Sequence, residues 1–100
     1  MEITERVNKS LMLAIQLGNL KAAQRAVQEG ADINLKGING QTPLMRAVLN
    51  KREDIFSWLL SLNVDVNASD KEGKTALMLA YQEGLKGFAH ELEARELTKI

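Results

Sequence analysis

The sequence contains no cysteine and has only one histidine, one proline and four aromatic residues among its 100 positions. The absence of cysteine excludes a disulfide-stapled secreted fold and thiol catalysis. A zinc site would have to combine the single imidazole, that of His90, with carboxylates alone. The serines lie far from His90 in sequence, so no pattern of nucleophile and base is visible. We therefore expect no enzyme, no cofactor and no metal, and we place His90 on a solvated helix.

The sequence also lacks a surplus of either charge, because 13 Lys and Arg residues balance 13 Asp and Glu residues. Nucleic acids and anionic membranes require a concentrated basic surface, which this balance does not supply. Charged residues interrupt the first ten positions, so no signal peptide or membrane-spanning run is recognisable there. We expect a small cytoplasmic protein, a monomer on its own, with neither a nucleic acid nor a membrane as its partner.

The sequence does contain an internal repeat with a period of 33 residues. The stretch "NGQTPLMRAVLNKREDIFSWLLSLNVDVNASD", from Asn39 to Asp70, is followed by "KEGKTALMLA", which begins in the same way. The positions that match at this spacing are Gly40 and Gly73, Thr42 and Thr75, Leu11, Leu44 and Leu77, Ala14, Ala47 and Ala80, Asp32 and Asp65, and Asn34 and Asn67. A period of this length is typical of stacked solenoid repeats.

Local sequence signals predict two helices in each copy. Thr42 can cap a helix with its hydroxyl, and Pro43 suits the first helical position, so the first helix should run to about Asn50. The second helix, "EDIFSWLL", begins with two acidic residues near the positive end of its dipole. Gly30 is expected to end the second helix of the first copy in a left-handed conformation, with Asn63 in the same role one copy later. Because Lys disfavours positive φ, we expect Asn50 rather than Lys51 to adopt that conformation.

With these motifs the chain resembles the ankyrin-repeat family, whose Thr-Pro-Leu helix start and Gly-Ala-Asp-Val-Asn close match "GQTPLMRAV", "EGADINLK", "VDVNASD" and "GKTALMLAYQEG". The resemblance implies an all-α solenoid of about three helix-turn-helix repeats joined by β-hairpin loops near residues 34–42 and 67–75. It implies a single domain over residues 1–100, with repeats at about 4–36, 37–69 and 70–100. Many members carry His after Thr-Pro-Leu, whereas this chain has Met12, Met45 and Met78, which we expect to fill the core.

The two terminal copies depart from the pattern in ways that suit caps. We expect one longer helix from Thr4 to Leu17, and an extended C-terminal helix over "FAHELEARELTKI" with a polar outer face. Asp32 with Asn34, and Asp65 with Asn67, could suggest a calcium site. Their recurrence at one repeat position instead favours local hydrogen bonds that stiffen the turns.

The resemblance further implies a non-enzymatic module that binds another protein, as an adaptor or an inhibitor. The implied binding surface is a concave face made of loop tips, here called fingertips, and of the exposed side of the first helices. The predicted contact residues on this face are Ile38, Asn39, Gln41, Arg46, Leu49, Asn50, Lys71, Glu72, Lys74, Gln82 and Glu83, with Gln16 and Leu17 at equivalent positions of the first copy. The alternative is a structural protein that self-associates through the stack ends or Trp58, a residue we otherwise expect to pack in the core.

Overall fold

Three helix pairs follow one another along the chain in the computed structural model, which describes residues 3–97 and the side chains of residues 3–95. The α-helices are α1 (Ile3–Leu17), α2 (Leu20–Gln28), α3 (Pro43–Leu49), α4 (Glu53–Ser61), α5 (Ala76–Gln82) and α6 (Lys86–Leu97), with a short 3-10 turn at Ile38–Gly40. Within each pair the two helices pack together, and the first helices α1, α3 and α5 lie side by side along the stack. The predicted all-α repeat solenoid is confirmed.

The predicted helix starts are present with the expected chemistry. The Met45 N–H donates to Thr42 Oγ1 at 3.3 Å, and Pro43 occupies the first turn of α3. One copy later, the Met78 N–H donates to Thr75 Oγ1 at 3.2 Å. These bonds satisfy backbone donors that the first turn of a helix cannot pair internally.

The first helix of every pair ends in the same backbone motif, and here one expectation was wrong. Lys51, not Asn50, has positive φ, at 58°, matching Gly18 at 74° and Gly84 at 70°. Asn50 remains at φ −92°. The reason is the hydrogen bond in the turn that follows. The Arg52 N–H donates to Ala47 O at 2.9 Å, and the Asn19 N–H donates to Ala14 O at the same distance one copy earlier. This bond of a Schellman motif requires the left-handed residue at position 51.

The second helices do not all end alike. Gly30 has φ 111° and closes α2 as predicted. Asn63 was expected to do the same for α4, but it is not left-handed, because the chain is already extended at Leu62 (φ −93°, ψ 175°). Ser61 Oγ donates to Trp58 O at 2.5 Å and the Leu62 N–H donates to Leu59 O, so these carbonyls are satisfied without a left-handed cap.

The core runs through the stack between the helix layers. Ala14, Ala47 and Ala80 are all buried, and these small side chains allow the first helices to pack closely. Between the second and third pairs, the rings of Phe56 and Phe88 meet edge to face with centroids 4.6 Å apart. The apolar core is thus continuous from one helix pair to the next.

The connecting loops are hairpin-like turns but contain no strands among the described residues. The Gly37 N–H donates to Gln41 O and, 33 residues later, the Asp70 N–H donates to Lys74 O, both at 2.9 Å. Only one isolated antiparallel bridge, between Ser69 and Thr75, accompanies them in residues 3–97. The turn predicted for each loop is present, but the pairing is too short to form a β-hairpin of strands.

The Asp and Asn residues at the base of the loops form local hydrogen bonds, as expected. The Asn34 N–H donates to Asp32 Oδ1 at 2.9 Å, and the Asn67 N–H donates to Asp65 Oδ1 at 3.0 Å. The structure adds a bond across the repeats, because Asn34 Oδ1 accepts from the Asp65 N–H at 2.8 Å. These side chains therefore link neighbouring copies as well as stiffening their own turns.

Candidate protein-binding surface

The first fingertip presents an apolar side chain on a hydrogen-bonded turn. Ile38 is 84% exposed at the start of the 3-10 turn. The turn is fixed by backbone bonds, in which the Gly40 N–H donates to Gly37 O and the Gln41 N–H donates to Ile38 O. Asn39 has φ 60°, and its carbonyl accepts from the Lys71 N–H at 2.9 Å. The two fingertips are thus tied together through their backbones.

The middle first helix brings three of the predicted residues together. Arg46 Nη1 donates to Gln41 Oε1 at 3.0 Å, so the guanidinium is held against the base of the first fingertip. Asn50 Nδ2 donates to Arg46 O at 2.9 Å and is occupied in closing the helix end. Leu49 is only partly exposed and packs against the core. Of this group, Arg46 has the most hydrogen-bonding capacity left for a partner.

The second fingertip is polar. Lys74 Nζ donates to Gln82 Oε1 at 2.7 Å and lies 3.4 Å from Glu72 Oε1. Lys71, Glu72, Gln82 and Glu83 are exposed. An exposed ion pair of this kind contributes little to stability, so the cluster is a solvated and adaptable surface.

An apolar groove lies beside the first fingertip. The sequence predicted only some of the residues that line it. The groove encloses about 520 Å³ between α1 and the loop at residues 35–38, and we call it the α1 groove. Its lining residues are Glu5, Asn8, Lys9, Met12, Leu13, Gln16, Leu35, Gly37, Ile38 and Arg46. The predicted residues Ile38, Arg46 and Gln16 meet here, whereas Lys71, Glu72, Lys74, Gln82 and Glu83 line the other half of the face and do not reach it.

Sequence reasoning missed Met12, Leu13 and Leu35 as members of this groove. Leu13 is 54% exposed although its helix neighbours Leu11 and Ala14 are buried. The loop passes so close to α1 that a Cβ placed on Gly37 would lie 3.3 Å from Met12 Cε. A leucine outside the buried stripe of the N-terminal capping helix was the signal that could have revealed the site.

The C-terminal end of the stack has a different character. Ile15 and Val48 are fully buried, but the equivalent Tyr81 is 58% exposed, and its hydroxyl donates to Glu93 on α6. Glu93 itself stands where the middle copy has the buried Leu60. Polar groups thus occupy two positions that are buried and apolar in the middle copy.

Two other residues singled out in the sequence are accounted for by the fold. Trp58 is partly buried and packs against the core, which agrees with the expected core role. His90 is exposed on α6, as predicted.

The repeated backbone motifs agree with a comparison to known protein families. The family model for ankyrin repeats, in three copies, matches residues 11–95. This chain belongs to the ankyrin-repeat family.

Ankyrin-repeat relatives occur in both bacteria and animals. The chain is 36% identical over 72 residues to an ankyrin repeat-containing protein of Treponema pallidum (strain Nichols), covering 72% of this chain and 24% of the relative. It is 44% identical over 74 residues to the mouse 2-5A-dependent ribonuclease, covering 73% and 10% respectively. It is 36% identical over 88 residues to chicken inversin, covering 88% and 7%. The chain therefore spans less than a quarter of the length of these relatives.

Membership of the ankyrin-repeat family carries a general function. Ankyrin repeats are protein–protein interaction modules and are typically not enzymes, although they also occur within multidomain enzymes such as the mouse ribonuclease. Within residues 3–97, no helix combines the length and the apolar character needed to cross a membrane.

Proposed function

We propose that this ankyrin-repeat protein is a non-enzymatic adaptor or inhibitor that binds another protein through its concave face. The observation that carries this proposal is Ile38, an aliphatic side chain 84% exposed at a fingertip. The equivalent position in the next copy is Lys71, so the fold accepts a charge there and does not require an apolar residue. Exposed apolar side chains among polar ones are characteristic of a binding surface.

The concave face is also preorganised for binding. Both turns are closed by backbone hydrogen bonds, and the Lys71 N–H to Asn39 O bond links one fingertip to the next. Gln41 holds the guanidinium of Arg46 in place. Groups that are already ordered before binding lose less conformational entropy when the partner arrives.

Contacts should concentrate on the middle copy, with terminal copies acting as caps. Ile38 supplies the apolar anchor, Arg46 the charged donor, and Asn39, Gln41 and Asn50 the hydrogen-bonding neighbours. Leu49 contributes through its exposed part. The second fingertip and the end of α5 complete the surface with Lys71, Glu72, Lys74, Gln82 and Glu83. The balanced charge favours a protein partner over nucleic acid or membrane. The cytoplasmic setting expected from the sequence is part of this proposal.

The test begins with affinity capture and mass spectrometry to identify the partner, followed by affinity measurements on a double variant. Ile38→Ala with Arg46→Ala should weaken binding by well over about tenfold, because truncating central anchors typically costs about 2 kcal/mol or more each. Circular dichroism should be unchanged, since neither side chain lies in the core. The matched control is Lys21→Ala with Glu29→Ala, two exposed residues on α2 and at its C-terminal end. Undiminished binding by the first variant, or loss only in the control, would move the site away from the concave face.

Self-association is the second candidate function, and the exposure of Met78 and Tyr81 at the C-terminal end favours it. Against it stand Glu93 and the Tyr81–Glu93 hydrogen bond, which make that end polar. Because that end is polar, we expect the protein to be a monomer on its own. Sedimentation velocity across a roughly hundredfold concentration range should show one species. A concentration-dependent dimer that Tyr81→Ala or Trp58→Ala disrupts would support self-association instead.

A further inference from the structure

The α1 groove differs from the rest of the concave face in combining an apolar floor with unpaired positive charge. Leu13 and Ile38 face the cavity with exposures of 54% and 84%. Met12 and Leu35 lie beneath them, partly buried against the core. No other part of residues 3–97 covers the exposed surfaces of Leu13 and Ile38, although exposing apolar side chains to water is unfavourable.

The polar rim of the groove is not electrically balanced. Lys9 and Arg46 are cationic, whereas Glu5 is the one acidic lining residue. Among the described residues, neither Lys9 nor Arg46 forms an ion pair, in contrast to Arg25, which pairs with Glu29, and Lys74, which pairs with Glu72. Arg46 uses Nη1 for Gln41 Oε1, and its other N–H donors remain available for a carboxylate.

The dimensions of the groove suit a short extended segment of chain. Its lining residues on α1 run from Glu5 to Gln16, which corresponds to about 16 Å along a helix at about 1.5 Å per residue. An extended peptide of about five residues spans that length at about 3.3 Å per residue. A cavity of about 520 Å³ has room for one or two bulky apolar side chains of such a segment.

We propose that the α1 groove binds a short, extended, acidic segment of the partner protein, with an aliphatic or aromatic side chain between Leu13 and Ile38 and a carboxylate on Arg46. This inference rests on the proposed function and makes it more specific, because it names the chemistry of the partner and shifts the centre of binding toward the first copy. Charge complementarity selects this occupant. A basic segment would place like charges against Lys9 and Arg46, and a wholly polar one would leave the apolar floor in water.

Hydrogen bonds support both walls of the groove. Gln16 lines its end, and the carbonyls of Ile15 and Gln16 accept hydrogen bonds from Arg52 of the next helix pair, at 3.2 and 2.5 Å. The loop wall is held by the Gly37 N–H to Gln41 O bond. These bonds favour the same wall positions before and after a ligand binds.

A displayed library of random nine-residue peptides, selected against the protein, provides the test. Selected sequences should combine Leu, Ile, Met or Phe with Asp or Glu, and their dissociation constants should be measured by fluorescence polarisation. Replacing the acidic residues of a selected peptide by their amides should weaken binding by at least about tenfold, which corresponds to about 1.4 kcal/mol. Raising the salt concentration should weaken the original peptide more than the amide form.

Variants of the protein then locate the site. Leu13→Ser and Arg46→Glu should each reduce peptide affinity by about tenfold or more, and Arg46→Glu should shift the selection toward basic peptides. Lys21→Glu on α2, an exposed lysine outside the concave face, is the matched charge-reversal control and should have little effect. Amide chemical shifts on peptide addition should change at Met12, Leu13 and Gly37 and not at Glu83.

The outcomes separate this inference from the proposed function. If no selected peptide depends on Leu13 and Arg46, or if basic peptides are preferred by the unaltered protein, the groove inference is overturned. The proposed function would still stand if Ile38→Ala with Arg46→Ala weakened the binding of a captured folded partner, and no peptide displaced that partner. Both fail if that double variant retains full affinity for the partner and no peptide binds the groove.

Discussion

The two junctions between neighbouring helix pairs share one backbone but are held by different side chains. At the first junction Arg52 reaches back from the middle pair to Ile15 O and Gln16 O at the end of α1. The equivalent residue one copy later is Leu85, which cannot donate a hydrogen bond to the end of α3. The second junction instead has the edge-to-face contact of Phe56 with Phe88. The period fixes the backbone, and individual residues decide how each junction is stabilised.

The polar linkage at the first junction extends beyond Arg52. Asn34 Oδ1 accepts from the Asp65 N–H, and Lys36 Nζ donates to Ser69 O at 2.8 Å. The α1 groove lies directly against this junction, since Gln16 and Arg46 belong to its two sides. We infer that the hydrogen-bonded junction keeps the groove in shape, whereas the apolar one closes the stack.

The largest effect should come from a charge placed where both junctions meet. Ala47 is 0% exposed on α3, which packs between α1 and α5. Ala47→Asp would bury a carboxylate without a partner and should unfold all three pairs together, since the cost of several kcal/mol rivals the total stability of so small a domain. Far-ultraviolet circular dichroism should show loss of helix. Ala94→Asp, at an exposed position on α6, is the matched control and should stay folded. A helical Ala47→Asp protein with an unchanged melting temperature would contradict coupling between the junctions.

A smaller effect, confined at first to the second junction, is expected from Phe88→Ala. Phe88 is 6% exposed, and removing a buried phenylalanine ring costs about 3–5 kcal/mol. Urea denaturation should give this loss. Hydrogen exchange should accelerate in α5 and α6 more than in α1, because the ring contact lies between the second and third pairs. Equal acceleration in all six helices would show that the junctions cannot open separately.

Some features of the fold and of the candidate site could be predicted from the sequence, and others could not. Thr42, Pro43 and the Ala14, Ala47, Ala80 row follow from local chemistry and a fixed period, so the helices and their spacing were predictable. Lys51 and Asn63 were not, because the hydrogen bonds that follow each helix, rather than the preference of the residue, decide its conformation. The role of Leu13 in the groove was not predicted for a related reason. Leu13 lines a groove only because the loop at Gly37 packs close to α1, and this tertiary contact is not visible in the sequence.

At the first junction, Arg52→Met should cost about 1.5–3 kcal/mol, the range for hydrogen bonds to a charged group. Methionine keeps most of the apolar stem, so the loss reports the two bonds to Ile15 O and Gln16 O and the favourable charge at the end of α1. Hydrogen exchange should accelerate at the end of α1 and not in α6. Arg25→Met removes an exposed pair with Glu29 and should change stability by less than about 0.5 kcal/mol. If both variants lose the same amount, Arg52 does not secure the junction.

The smallest effect sharpens the comparison most, because it uses one residue type at one repeat position. Asn34 Oδ1 accepts from the Asp65 N–H across the first junction at 2.8 Å, whereas the side chain of the equivalent Asn67 has no hydrogen-bond partner among residues 3–97. Asn34→Ala should therefore cost about 0.5–1.5 kcal/mol in urea denaturation, the net value of one such bond, and Asn67→Ala almost nothing. Both side chains are exposed, so packing and solvation differ little between the two variants. Equal losses would mean that the loops are stabilised within each copy, and that the first junction depends on Arg52 and the apolar core alone.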